Sequence, residues 1–63
     1  MASPSLTILI PCLNEELGVA DVVRENAAAF PQAEILVVDN GSEDSTAATA
    51  KAAGATVITE KRR

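Results

Sequence analysis

Histidine, tryptophan and tyrosine are missing from this 63-residue chain; Phe30 is its single aromatic residue and Cys12 its single cysteine. One cysteine excludes an internal disulfide and fits a reducing compartment. With no histidine to activate it, Cys12 reads as an inert side chain and not as a nucleophile. Basic residues are also few, with Lys plus Arg at 5 against Asp plus Glu at 9 and a formal net charge of −4. That balance excludes a nucleic-acid partner, which needs clustered positive charge. The basic run Lys61-Arg62-Arg63 reads as a solvated tail. No segment reaches the roughly 18 apolar residues that cross a bilayer. The start, Met1-Ala2-Ser3-Pro4, lacks the positive region of a signal peptide, and Pro11 interrupts the apolar run behind it. The expected location is the cytoplasm, or the cytoplasmic face of a membrane where a longer parent carries membrane segments.

A chain of this size is at most one domain, and about 60% of its unfolded surface is buried on folding. Apolar residues make up 48% of it, but 12 of them are alanine, which buries little area. Marginal stability is therefore expected. Residues 6–10, Leu-Thr-Ile-Leu-Ile, form an apolar strand that Pro11 closes, and the unbroken run suggests burial on both faces. Residues 15–29 read as a helix. Asn14 suits its N-cap, and Glu15 and Glu16 favour the positive end of its dipole. Val19, Val22, Val23, Ala27 and Phe30 share one helical face, and Pro31 ends the helix. Residues 34–38 are a second strand. Asn40-Gly41 is a strong hairpin signal, but no strand follows it. Residues 46–53 are alanine-rich and helical, with Asp44 or Ser45 as cap and Gly54 as terminator. Residues 55–59 form a third strand. The β-α-β-α-β order predicts a parallel sheet with right-handed crossovers and strand order 3-2-1.

In open parallel sheets, ligands bind beyond the carboxyl ends of the strands. The two loops leaving those ends are 11–15 and 39–42, which predicts Glu15 and Asp39 near one another in one crevice. Glycine is absent from the first turn, so neither a dinucleotide fingerprint nor a P-loop is present. Asp39, ending the second strand, can accept hydrogen bonds from a ribose hydroxyl or a base N–H. Glu43 and Asp44 read as helix-start acids and not as metal ligands.

The segments Ile10-Pro11-Cys12-Leu13-Asn14-Glu15-Glu16 and Glu34-Ile35-Leu36-Val37-Val38-Asp39-Asn40-Gly41-Ser42-Glu43-Asp44-Ser45-Thr46 together resemble the opening of glycosyltransferase family 2. That family begins with a strand, Pro-x-x-Asn-Glu, and a second strand ending in Val-Asp-Asp/Asn-Gly-Ser-x-Asp-Gly/Ser-Thr. The closing residues 53–63 look like the polyprenyl-phosphate mannose and glucose synthase subgroup. The resemblance implies a Rossmann-like β-α-β-α-β half of a GT-A nucleotide-diphospho-sugar transferase domain. Residues 1–63 would be its amino-terminal part, truncated at the C-terminal end. It further implies that Pro11, Asn14, Glu15, Asp39, Gly41 and Ser42 bind a UDP- or GDP-sugar, with Asp39 on the nucleoside. The sugar would pass to an acceptor such as polyprenyl phosphate, a lipid or membrane partner reached through regions outside this chain. Asn40 stands where many members have a second Asp, and Leu13 where many have Tyr. The family's Asp-x-Asp metal segment and its catalytic base are not in this sequence. A divalent metal, Mg or Mn, is thus expected in the full-length parent and not on these residues, and the 63-residue chain alone is expected to be inactive. An exposed sheet edge is expected to self-associate. Two other readings stay open: a small non-catalytic α/β module that binds nucleotide or a partner, and a phospho-acceptor domain built on Asp39.

Overall fold

The computed structural model describes residues 6–60. Five elements follow one another: β1 (Thr7–Cys12), α1 (Val19–Ala29), β2 (Glu34–Asp39), α2 (Thr46–Ala52) and β3 (Thr56–Thr59). The strands form one parallel sheet in the order β1-β2-β3, with Cys12 opposite Asp39 and Asp39 opposite Thr59. This is the predicted 3-2-1 order read from the other edge, and no hairpin forms at Asn40-Gly41.

Strand β1 runs through Pro11 instead of stopping there. Glu34 N–H donates to the Leu6 carbonyl and Asn40 N–H to the Cys12 carbonyl, each at 2.9 Å. The alternation of a parallel ladder therefore turns the backbone of residues 8, 10 and 12 towards β2 and that of 7, 9 and 11 towards the open edge. Pro11 lacks its N–H on the side where, among the described residues, this sheet has no neighbouring strand, so the ladder loses nothing.

Right-handed crossovers are the rule for parallel β-α-β units, and these strands advance in one direction, so both helices land on the same face and touch each other there. The core is Cys12, Val19, Val23, Ile35, Val37, Ala50 and Ala55, flanked by Ile8, Ile10, Ala53 and Val57. The expectation of burial on both faces fails for this reason. Leu9 and Ile58, on the uncovered face, are 60% and 50% exposed. Val22 and Phe30, expected against the core, are also exposed, at 39% and 47%. Val19 and Val23 lie one turn apart and face the sheet; Val22 is turned off that axis, and Phe30 lies past the last helical residue.

Helix α2 ends on a Schellman motif. Ala55 N–H reaches the Ala50 carbonyl, Gly54 N–H reaches that of Lys51, and Gly54 has φ 110°. Ala55 and Ala50 are both buried, so the hydrophobic contact of the motif also joins the helix end to the core. Helix α1 ends at Ala29, before Phe30 and Pro31, as proline's steric demand on the preceding residue requires.

Candidate functional site at the carboxyl ends of the strands

The two loops that leave β1 and β2 meet at one end of the sheet and are stitched together by two equivalent relays. In the first, Asn14 N–H donates to the Ser42 hydroxyl at 2.8 Å. The Ser42 hydroxyl donates onward to Asp39 Oδ1, which also accepts Ser42 N–H at 3.0 Å. In the second, Glu15 N–H donates to the Thr46 hydroxyl at 2.7 Å. That hydroxyl donates to Asp44 Oδ1, which also accepts Thr46 N–H at 2.9 Å. Two successive amides of the first loop thus rest on two hydroxyls of the second, each backed by an aspartate. Asn14 Oδ1 accepts Glu43 N–H at 2.8 Å, Glu16 N–H donates to Asp44 Oδ2 at 3.3 Å, and Ser45 N–H donates to Glu16 Oε1 at 3.1 Å.

This network explains where the first helix begins. Residues 15–18 form a hydrogen-bonded turn, with the Glu15 carbonyl accepting from Gly18 and Val19, and α1 starts only at Val19 with Gly18 at the N-cap position. Asn14 does not cap that helix. Its backbone lies in the left-handed region at φ 52°, which asparagine tolerates better than most residues, and its side chain crosses to the second loop. Gly41 has φ 92°, so the turn behind Asp39 needs a residue without a Cβ penalty there. At the second helix Ser45 holds the N-cap position without a side-chain capping bond, and Asp44, one residue earlier, closes a short side-chain turn onto Thr46 N–H.

Asp39 is 3% exposed. Both of its hydrogen bonds from the chain go to Oδ1; Oδ2 accepts none among the described residues, and no fully buried side-chain oxygen is left unpartnered, so Oδ2 keeps contact with solvent. Glu15 and Asp39 are brought together around Cys12. The Cys12 thiol is buried, lies beside Glu15, and sits across the ladder from Asp39. Burial first, then the Glu15 hydrogen bond and charge, then the Asp39 charge push its pKa up to about 11. At neutral pH it is a protonated thiol and a poor nucleophile. The Thr46 hydroxyl bond, ahead of the backbone amides, holds the Asp44 carboxyl below its usual range.

Two open crevices border the junction. One, of about 560 Å³, is lined by Asn14, Glu15, Glu16, Leu17, Gly18 and Asp44. The other, of about 220 Å³, lies against Pro11, Cys12 and Glu15 beside Val19 and Val22. Asp39, Gly41 and Ser42 border neither and lie on the β2 side of the junction. All six residues singled out in the sequence thus belong to one loop cluster. Thr46, buried and doubly bonded, is the member that site reasoning from the sequence missed, although it closes the second motif.

Among the described residues, no group of three or more His, Cys, Asp or Glu side chains converges on a point that could hold a metal ion. The described residues therefore do not fit a divalent cation as its ligands. No helix among them is long and apolar enough to cross a membrane.

Known proteins are similar to this chain in sequence and in fold. RfbJ of Shigella flexneri is 45% identical over 53 residues, 84% of this chain and 41% of that protein. An uncharacterised glycosyltransferase of Mycobacterium tuberculosis is 42% identical over 62 residues, 98% of this chain and 27% of that one. The crystal structure of M. tuberculosis glucosyl-3-phosphoglycerate synthase has a TM-score of 0.78 at 30% sequence identity, covering 90% of this chain and 22% of that one. The chain spans less than half the length of these relatives. The sequence pattern of glycosyl transferase family 2 matches residues 7–63, and the parallel three-stranded sheet agrees with the solved relative: the chain belongs to glycosyl transferase family 2.

Proposed function

We propose that this chain is the amino-terminal, nucleotide-sugar-binding portion of a glycosyltransferase that uses a UDP- or GDP-sugar. The observation that carries the reading is Asp39: a carboxylate almost wholly withdrawn from solvent, at the carboxyl end of a parallel strand, with one oxygen pinned by Ser42 and the other left open. Pinning Oδ1 fixes the direction of Oδ2, so an incoming base N–H or ribose hydroxyl meets an acceptor already oriented. Pro11 and Glu15 belong to the neighbouring loop, which leaves β1 beside Asp39. Gly41 lets the turn close behind Asp39, and Asn14 and Ser42 hold the two loops together.

The residues present bind and orient a donor; none is assigned to bond breaking. In the whole transferase, a divalent cation, Mg or Mn, would neutralise the leaving diphosphate, and its ligands belong to residues other than those described. A polyprenyl phosphate is the acceptor class favoured by the resemblance of residues 53–63. The expected site of action is the cytoplasm or the cytoplasmic membrane face.

The test is titration of the ¹⁵N-labelled chain with UDP and GDP. Shift changes gathered at residues 11–15 and 39–42, absent with inorganic phosphate, support the reading. Saturating nucleotide without any change at those residues refutes it.

A further inference from the structure

We infer that Thr46 is a positioning residue for this nucleotide site, acting through Glu15, an inference that rests on the reading of the loops as the donor site. Thr46 is fully buried, at 0% exposure, yet its side chain is polar and lies at the very start of α2. Its hydroxyl has both roles occupied. It accepts the Glu15 amide at 2.7 Å and donates to the Asp44 carboxylate. The direction of the chain of bonds is settled by chemistry: an amide N–H only donates, and an ionised carboxylate only accepts. The Asp44 carboxyl is held below its usual range by this bond, so it is ionised throughout the neutral range.

The consequence is mechanical. Glu15 borders both crevices, one of them beside Cys12. Its backbone position is set by a hydroxyl 31 residues away in sequence. The Ser42 relay performs the same task one residue earlier, through Asn14, and ends on Asp39 itself. The two relays run side by side, so the position of the Glu15 loop against the loop that follows Asp39 depends on both hydroxyls. Thr46 touches no part of the crevices and contributes only by holding Glu15 in place.

The test compares Thr46→Val, which keeps the shape and removes the hydroxyl, with Thr46→Ser, which keeps the hydroxyl. Amide exchange is read by NMR on the labelled 63-residue chain, and UDP and GDP are the titrants. In Thr46→Val the Glu15 amide should exchange about tenfold faster and the nucleotide Kd should rise about tenfold, the loss of one buried hydrogen bond, while Val37 exchange stays within about threefold. Thr46→Ser should restore both. Unchanged Glu15 exchange in a folded Thr46→Val chain overturns the inference. So does unchanged nucleotide affinity, or a serine variant that behaves like valine. If Thr46→Val does not fold, Asp44→Ala is the second variant, and it must speed Glu15 exchange while leaving Val37 protected; unaltered exchange there also overturns the inference. A wild-type chain that binds neither nucleotide defeats the donor-site reading by itself, and the exchange arm then still decides whether Thr46 holds Glu15.

Discussion

Replacing Asp39 by Asn changes one atom of the side chain and almost nothing of its shape. Asp39 Oδ1 accepts two hydrogen bonds, from the Ser42 amide and the Ser42 hydroxyl. The Asn carbonyl oxygen can take that place and accept both. Each bond then runs to a neutral acceptor instead of a charged one, a loss of about 1 kcal/mol per bond and about 2 kcal/mol for the turn. A domain of this length holds roughly 3–9 kcal/mol of stability, so the variant folds, with a lower denaturation midpoint. The outward oxygen, Oδ2, becomes an NH₂ group. It now presents hydrogens to a base N–H, which can only donate, and reverses the bond to any ribose hydroxyl, which loses its charged acceptor. Losing a hydrogen bond to a charged acceptor should weaken UDP or GDP binding by about ten- to a hundredfold, that is about 1.4–2.8 kcal/mol. Calorimetric titration of both proteins, with and without Mg²⁺, reads the effect. The reasoning is refuted if the folded Asn variant binds nucleotide within about threefold of wild type. It is equally refuted if affinity is retained and only the metal dependence moves, which would place Asp39 on the cation.

Three further outcomes are expected. Val37 is wholly buried between the helices and the sheet, so Val37→Ala should cost about 2–3 kcal/mol in urea denaturation; a value under about 1 kcal/mol would show that the core collapses around the gap. Gly54 has φ 110° with open space where a Cβ would point, so Gly54→Ala should lose about 1–2 kcal/mol through backbone strain alone, and a neutral result would mean that the helix end rearranges. The Cys12 thiol is raised from 9.0 to about 11, so the folded chain holds this proton more tightly than the unfolded chain; the associated stability is complete below pH 9 and is lost as pH rises through 11. Thermal midpoints measured across that window should fall more steeply for the wild type than for Cys12→Ala, and parallel curves would remove the thiol from the account.

Much of the fold was legible because its causes are local. Alternating and continuous apolar runs mark β1, β2 and β3, the i, i+4 pair Val19 and Val23 marks the buried face of α1, and Pro31 and Gly54 mark where helices end. Each of these is a statement about neighbours within about four residues, where steric limits and hydrogen-bond geometry act. The strand order follows from the succession of elements together with crossover handedness. The motifs 11–16 and 39–46 fall on loops that meet in the fold, since the carboxyl ends of adjacent parallel strands must lie together.

What the chain's own order could not show is how those loops engage. Asn14 has the chemistry of a helix cap, and by local rules it belongs to α1. In the folded chain it serves the other loop, because Glu43 N–H and the Ser42 hydroxyl lie within reach. Thr46 has the look of an ordinary helix-start residue until the Glu15 amide, 31 positions earlier, is packed against it. Pro11 reads as a strand breaker and becomes a strand residue only because its missing N–H falls on the open edge of the sheet. Val22 and Phe30 have core chemistry but lie where no second layer covers them. In each case tertiary structure decided the outcome: for Asn14 and Thr46 the partner lies far away in sequence and only the closing of the sheet brings it within bonding distance, and for Pro11, Val22 and Phe30 the place in the sheet and its single helical layer decides what covers them.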